Sequence, residues 1–402
     1  MNAAEQHPAH VPGMPVVTVI GDGQLARMMQ TSAIELGLSL RVLAGSPDSS
    51  AAQVVADNVF GAYTKLEDLE KVTDGSVITF DHEHVPTAYL EQLQASGINI
   101  HPGPKALVYA QDKLAMRKKL RELGAPVPPF AALESVTDAA AFWEAVQGQV
   151  CLKAIRGGYD GHGVWFPETV AEFEEILGEQ LSKGVACMAE QKVALVRELS
   201  AMVARRPSGE TRTWPVVESV QTDGICTEAV APAPSLDPEL ADRAKELAIT
   251  IATELDVTGV LAVELFEIKD ELGQSDIRVN ELAMRPHNTG HWSQDGSITG
   301  QFEQHLRAVL DWPLGSTDTR APFTVMANVL GAPEDPATPL PQRMQEVWQR
   351  FPEVKIHFYG KTYRAGRKLG HVNVCGSDAQ RTREVARLAA GFLRTATWPD
   401  EQ

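Results

Sequence analysis

The chain has 402 residues, 44% hydrophobic and 22% charged, which fits a globular protein too long for one ordinary core and points to two or three domains. With 36 Lys and Arg against 53 Asp and Glu the net charge is −17, which disfavours nonspecific binding to nucleic acid or an anionic membrane; an anionic substrate would need particular residues to hold it. The four cysteines form no CxxC pair, and no run approaches the roughly 18 apolar residues of a membrane span, so neither a zinc site, a disulfide scaffold nor a spanning helix is expected and a cytoplasmic setting is.

The opening residues 1–13 lack the basic and apolar regions of a signal peptide and read as a disordered lead. "PVVTVI" then predicts a strand, "GDG" a tight turn, and "QLARMMQTSAIELG" a helix that stops at Gly37. "LSLRVLA" and "SVITF" are further strands and "VPTAYLEQLQASG" a helix, so the first hundred residues alternate as a doubly wound parallel sheet does. "KALVYAQDKLAMRKKLRELG" predicts one long helix, followed by the stiff connector "APVPPF". Short strands, a glycine loop and a helix over 238–255 follow, then "GVLAVELFEI" and "IRVNELAMR" across a polar turn. From Ala321 the strand-like "FTVMANVL", "VKIHFYG" and "HVNVCG" lead to a closing helix, "AQRTREVARLAAGFL".

Four stretches could carry chemistry. Gly21-x-Gly23-x-x-Ala26 fits the dinucleotide fingerprint, yet the second strand ends in "VLAGSP" without the acid that would hold a ribose, which leaves tight packing or another small ligand as alternatives. "KAIRGGYDGHGVW" packs glycines behind a lysine, as a loop closing on phosphates requires and as a plain surface loop also would. The hairpin, with Ile268 opposite Ile277 and Phe266 opposite Val279, sets Glu264 against Glu281 on an apolar face. Like charges so placed repel unless a hard cation lies between them, the alternative being a solvated sheet edge or a slipped register. "MRPHNTGH" adds Arg285, His287, Asn288 and His291 next to that hairpin. "YGKTYRAGRKLGH" gathers Lys361, Arg364, Arg367 and Lys368, either a site for a phosphate monoester or a solvated basic face.

The runs "GDGQLARM", "HEHVP", "AQDKLAMR", "GGYDGHGVW", "GVLAVELFE", "NELAMRPHNTGHWSQDG", "QFEQHLRA" and "AGRKLGH" together resemble the ATP-grasp superfamily and, within it, the N5-carboxyaminoimidazole ribonucleotide synthetase family, from about Met14 to Leu393. The resemblance implies an ATP-grasp fold of α/β class, α+β in its central part. It would comprise an N-terminal parallel-sheet domain over 14–110, an ATP-grasp domain over 111–320 with a glycine-loop lid at about 130–195, and a small C-terminal domain over 321–402. It implies carboxylation of 5-aminoimidazole ribonucleotide with bicarbonate and ATP, with Mg²⁺ or Mn²⁺ as cofactor, in a cytoplasmic homodimer.

Residue by residue, the resemblance assigns Lys113 and Lys153 to ATP phosphates. The closing loop would be Gly158, Tyr159, Asp160, Gly161, His162, Gly163 and Val164. Adenine and ribose would fall to Glu190, Gln191, Lys192, Val193 and Glu198, and the metal to Glu264 and Glu281, with Asn280 beside the nucleotide. Gly23, Gln24, Leu25, Glu83, Tyr159, Lys361, Arg364, Arg367 and Lys368 would bind the ribonucleotide. Arg285, His287, Asn288 and Asp160 would serve the chemistry. The chain departs from the family pattern at His84, Gln221, Ala283 and Met284. A formate-using transformylase, a biotin carboxylase and a dinucleotide-dependent oxidoreductase are the competing readings.

Overall fold

The computed structural model describes residues 9–157, 162–270 and 272–399. Its N-terminal sheet is parallel, in the order β3-β2-β1-β4, from β1 (Val16–Ile20), β2 (Ser39–Ala44), β3 (Asp57–Phe60) and β4 (Val77–Phe80). Helices α1 (Gln24–Leu36), α2 (Leu66–Glu70) and α3 (Thr87–Ala95) connect or flank these strands. Every β2 residue is buried, as the β-branched and leucine-rich run of a central parallel strand should be. Within the stretch expected as a disordered lead, His10 lies 2.6 Å from Asp57 and the Val11 N–H donates to Ser39, so this part is packed on the sheet.

The turn after β1 shows why it needs glycine. A Cβ at Gly21, where φ is +113°, would stand 2.9 Å from the Asp81 Cβ, and one at Gly23 2.7 Å from an Asp81 carboxylate oxygen. These glycines admit the end of β4, a role that calls for no dinucleotide.

One expectation fails next to it. The predicted long helix is two, α4 (Pro104–Gln111) and α5 (Lys113–Glu122), because Asp112 is extended at φ −127° and ψ 103° and its side chain caps α5 by accepting from the Ala115 N–H. The Lys113 N–H is then free to bond the Ile155 carbonyl at 3.0 Å, which ties α5 to the glycine loop.

A small antiparallel sheet, β5-β8-β6-β7, is built from β5 (Phe130–Leu133), β6 (Val150–Ala154), β7 (Val164–Trp165) and β8 (Cys187–Gln191) in the stretch expected as a lid. Helices α6 (Thr137–Ala145) and α7 (Val170–Ser182), which the sequence reading did not single out, bury Phe142, Phe173 and Leu177 against it. The glycine loop joins β6 to β7, and its residues 158–161 lie outside the described part.

The largest sheet runs β14-β13-β9-β11-β12-β15-β17-β16, with β10 beside β9. Its central strands are β9 (Leu195–Arg205), β10 (Thr211–Thr213), β11 (Val217–Thr222), β12 (Ile225–Ala231), β13 (Gly259–Lys269) and β14 (Ser275–Ala283). Helix α8 (Pro238–Glu254), capped by Asp237, lays Leu240, Ala244, Ala248 and Ile251 along one face onto that sheet. Helix α10 (Gln301–Val309) packs on β13 and β9, and the short α9 (Ser293–Gly296) precedes it. The C-terminal β15 (Phe323–Leu330), β16 (Lys355–Phe358) and β17 (Lys368–Gly376) continue the same sheet through the β12–β15 pair, covered by α11 (Leu340–Arg350) and α12 (Ala379–Thr395). The C-terminal stretch therefore carries its basic residues in the loop between β16 and β17 and at the start of β17, strands of a sheet shared with the central domain.

The hairpin register is partly as expected. Glu264 does face Glu281, but a bulge follows, so Leu265 rather than Phe266 faces Val279, and Glu267 rather than Ile268 faces Ile277. The extra residue is Asn280. Its carbonyl accepts from Arg117 at 2.7 Å and its side chain from Lys153 at 3.2 Å, bonds a regular ladder would not place.

Candidate active site

A cleft of about 820 Å³ lies between the N-terminal domain, the hairpin and the C-terminal loop. It brings together Gln24, Leu25, Glu83, Lys113, His162, Glu264, Glu281, Arg285, His287, Asn288, Lys361, Arg364, Arg367 and Lys368, which are separated by up to 344 positions in the chain. Lys153, Glu190, Gln191, Lys192, Val193, Glu198, Asn280, Gly163 and Val164 are not part of its wall, and Gly23 stands just behind it. Gly158, Tyr159, Asp160 and Gly161 lie outside the described residues.

Glu264 on β13 and Glu281 on β14 are the acidic end of the cleft. Glu264 is half-buried, and its partial desolvation would push it up, but a 3.0 Å hydrogen bond from His287 Nε2 and the charges of Arg285 and Lys368 hold it below the usual carboxylate range. Glu281 is raised, by burial first and then by Glu264, and Lys113, 3.8 Å away, offsets this only in part. A carboxylate so placed takes its missing charge from a proton or from a cation. Two facing carboxylates that open on a cleft wide enough for polyphosphate fit Mg²⁺ in the way that ion is usually held.

His287 is oriented from behind. The Thr289 N–H donates to its Nδ1 and the Thr289 hydroxyl lies 2.9 Å from the same nitrogen, while Nε2 faces a Glu264 carboxylate that accepts, so Nε2 carries the proton toward Glu264. It thereby orients one of the two facing carboxylates and lines the cleft beside Arg285 and Asn288. Arg285 is half-buried and ion-paired with Glu83 at 2.8 Å, which raises its pKa and aims it across the cleft. Asn288 lines the cleft beside His287.

On the nucleotide side, Lys153 lies 2.8 Å from Glu190, and Arg117 approaches the other oxygen of that carboxylate at 2.6 Å. Despite burial, which opposes it, these two cations pull Glu190 down to about 2. Both oxygens of its side chain are thus engaged by these two cations. Arg117 was missed in the sequence, although its spacing of four from Lys113 puts both on one helix face. Glu198 is pushed up to about 7 by burial and then by Glu264, with Gln221 hydrogen-bonded to it. Lys192 lies over the Phe166 ring at 5.5 Å.

At the other end the basic segment returns to the N-terminal domain. Ser50 donates to the Tyr359 carbonyl at 2.5 Å, Gln53 to the Gly360 carbonyl at 2.8 Å, and Lys361 to the Gln24 side chain. Lys361 is pushed down to about 8, by burial and then by Arg367. The loop above it is fixed at Gly331, whose N–H donates to the Arg367 carbonyl and whose carbonyl accepts from the Gly366 N–H. A Cβ there would fall 2.1 Å from the Arg364 carbonyl oxygen. Gly331→Ala should displace this loop and weaken binding of a phosphorylated ligand about tenfold or more, with nucleotide affinity little changed. Equal affinities in titrations of both proteins would show that the loop does not grip the ligand.

Asp81, also missed, sits at the carboxyl end of β4, where ligands gather in open α/β sheets. Its carboxylate accepts from the Gly23 N–H, and burial raises it to about 6 against the pull of Arg285.

The ATP-grasp domain family matches residues 118–302, the ribonucleotide synthetase preATP-grasp domain 14–111, and the phosphoribosylaminoimidazole carboxylase C-terminal domain 324–385. The chain is 61% identical over 400 residues to the N5-carboxyaminoimidazole ribonucleotide synthase of Corynebacterium ammoniagenes, covering 98% of this chain and 95% of the relative. Against the Mycobacterium tuberculosis enzyme of the same name the identity is 50% over 387 residues, 96% of this chain and 89% of the relative. A crystal structure of the Aspergillus clavatus N5-carboxyaminoimidazole synthase in complex with ADP and 5-aminoimidazole ribonucleotide superimposes with a TM-score of 0.84 at 29% identity, covering 94% of this chain and 98% of that one.

Proposed function

The chain belongs to the N5-carboxyaminoimidazole ribonucleotide synthase family, ATP-grasp ligases of purine biosynthesis, and from that premise we propose how its residues divide the reaction. The substrates are ATP, bicarbonate and 5-aminoimidazole ribonucleotide; the products are ADP, phosphate and the N5-carboxylated ribonucleotide. The observation that carries this reading is one cleft that joins the paired carboxylates Glu264 and Glu281, the basic cluster Lys361, Arg367 and Lys368, and the half-buried Arg285.

Bicarbonate is a poor electrophile. One of its oxygens attacks the γ-phosphorus, ADP leaves, and the resulting carboxyphosphate offers a carbon with phosphate as leaving group. The exocyclic amine attacks that carbon, phosphate departs and the amine nitrogen loses a proton. Lys113 and Lys153 hold the nucleotide phosphates, and Glu190 holds Lys153 in place. Mg²⁺ bound by Glu264 and Glu281 would neutralise charge on the transferring phosphoryl group. Arg285, held across the cleft by its ion pair with Glu83, stabilises the developing anion. Lys361, Arg367 and Lys368 hold the ribonucleotide phosphate, and Arg364 lies at the rim. Asp160, a candidate for the reacting amine, falls on the loop outside the described residues. The expected working form is a cytoplasmic homodimer. No helix among the described residues is long and apolar enough to cross a membrane.

The Lys361 shift has a readable consequence. Its pKa of about 8 means that the free enzyme loses this charge as pH rises through that value, so the attraction for the ribonucleotide phosphate is present below pH 8 and lost above it. The kcat/KM for the ribonucleotide should fall from pH 7 to pH 9, and Lys361→Arg should remove the decline because guanidinium stays protonated. A wild-type profile flat over that range would contradict the placement. The choice of one-carbon donor is tested by ADP release with bicarbonate or with formate. Dependence on bicarbonate supports the reading, and dependence on formate would replace it with a transformylase.

A further inference from the structure

His82 stands between two strand-end acids, Asp81 and Glu83, and no step above uses it. It lines the cleft, packed between Tyr63, whose ring centroid is 4.4 Å away, and His84, stacked at 5.4 Å. The His84 backbone N–H donates to His82 Nδ1 at 3.1 Å. That nitrogen must therefore be unprotonated, and the proton of the neutral ring sits on Nε2. The Nε2 edge lies against Gly21, since a Cβ on that glycine would meet Cδ2 at 3.0 Å and Nε2 at 3.2 Å. Glycine here leaves room for the imidazole as much as for the turn.

The nearby polar groups are already committed. The Glu83 carboxylate is paired with Arg285, the Gln24 carbonyl oxygen with Lys361, and the Asp81 carboxylate with the Gly23 N–H. His82 Nε2 has no hydrogen-bond partner among the described residues. Burial, and then the His84 ring, lower its pKa to about 4, so it is neutral wherever the enzyme works. A cation there would add to the repulsion among Arg285, Lys361 and Arg367.

A neutral N–H donor fixed in this place has a matching acceptor. With the ribonucleotide phosphate on the Lys361 cluster and the exocyclic amine toward Arg285, the aminoimidazole ring spans the interval lined by Gln24, His82 and Glu83. The ring has one unsubstituted nitrogen, which bears neither hydrogen nor ribose and can only accept. We infer that His82 recognises the base of the ribonucleotide by donating its Nε2–H to that ring nitrogen, and so discriminates aminoimidazole from a phosphorylated sugar or a nucleotide lacking such an acceptor. This rests on the proposed function.

The test compares wild type with His82→Phe, which keeps a flat ring but has no donor, and His82→Gln, whose amide nitrogen reaches about as far as Nε2. His82→Phe should raise the KM for aminoimidazole ribonucleotide about five- to tenfold, as loss of one hydrogen bond at a part-buried site does, with the KM for ATP unchanged. His82→Gln should recover most of the loss. A KM for the ribonucleotide equal to wild type in His82→Phe, or equal losses in both variants, would overturn the inference while leaving the carboxylation reading intact. If wild type itself releases ADP independently of the ribonucleotide, that reading falls first. Spectra of ¹⁵N-histidine-labelled wild type need no variant to fold. They should show His82 protonated on Nε2 alone from pH 6 to pH 8, with that resonance moving on addition of the ribonucleotide and not of ATP; a resonance unmoved by the ribonucleotide would overturn the inference.

Discussion

Glu281→Gln should lower kcat by at least a hundredfold while leaving the thermal transition of the ligand-free protein unchanged or slightly raised. The two halves of this expectation have one cause. In the ligand-free protein Glu281 and Glu264 face each other, and burial together with the Glu264 charge disfavours ionising Glu281, so a neutral amide of the same shape relieves a repulsion. When ATP and metal are present the same charge becomes necessary. A ligand charge that stabilises phosphoryl transfer is worth several kcal/mol, and each 1.36 kcal/mol is a factor of ten in rate. Raising Mg²⁺ should recover part of the loss. A variant with wild-type turnover at limiting Mg²⁺ would show that the pair does not hold the metal; a variant that fails to fold would show that the carboxylate is structural.

Arg367→Ala and Lys153→Ala should separate the two substrates. Arg367 is held by the Thr362 carbonyl at 3.1 Å and hydroxyl at 3.0 Å on the loop that returns over the N-terminal domain, and it lines the cleft beside Lys361. A charge-assisted contact contributes roughly 1.5 to 3 kcal/mol, so its removal should raise the KM for aminoimidazole ribonucleotide about ten- to a hundredfold and leave that for ATP nearly unmoved. Lys153→Ala should do the reverse. It also leaves Glu190 with Arg117 alone, so some loss of stability is expected and the KM split rather than the melting temperature is the informative readout. If Arg367→Ala weakened ATP and spared the ribonucleotide, the basic cluster would belong to the nucleotide.

Much of this division was legible in the chain. The strand, glycine turn and helix at the start, the helix near 238–255 and the facing of Glu264 with Glu281 all follow from periodicity and spacing. The rest depended on contacts that periodicity does not carry. Asp112 breaks a helix that its neighbours would continue, because its cap and the Lys113 N–H to Ile155 bond are tertiary choices. The Asn280 bulge slips the hairpin by one residue beyond the glutamates, and it is stabilised by Arg117 and Lys153 from elsewhere in the chain. Glu190 looked like a nucleotide contact in sequence, and only the positions of two distant cations show that its carboxylate is occupied. Asp81 and His82 could have been suspected from their place just after a predicted parallel strand, but which way each points depends on Gly21 and Gly23 lying opposite.

The most direct measurement is a ¹³C spectrum of the product formed from ¹³C-bicarbonate, MgATP and aminoimidazole ribonucleotide, taken with ADP counted in the same reaction. The account predicts a carbamate carbon bonded to the exocyclic nitrogen, one ADP per carbon fixed, and neither signal without all three substrates. A carboxylate bonded to a ring carbon, or ADP released in the absence of the ribonucleotide at the same rate as in its presence, would contradict it.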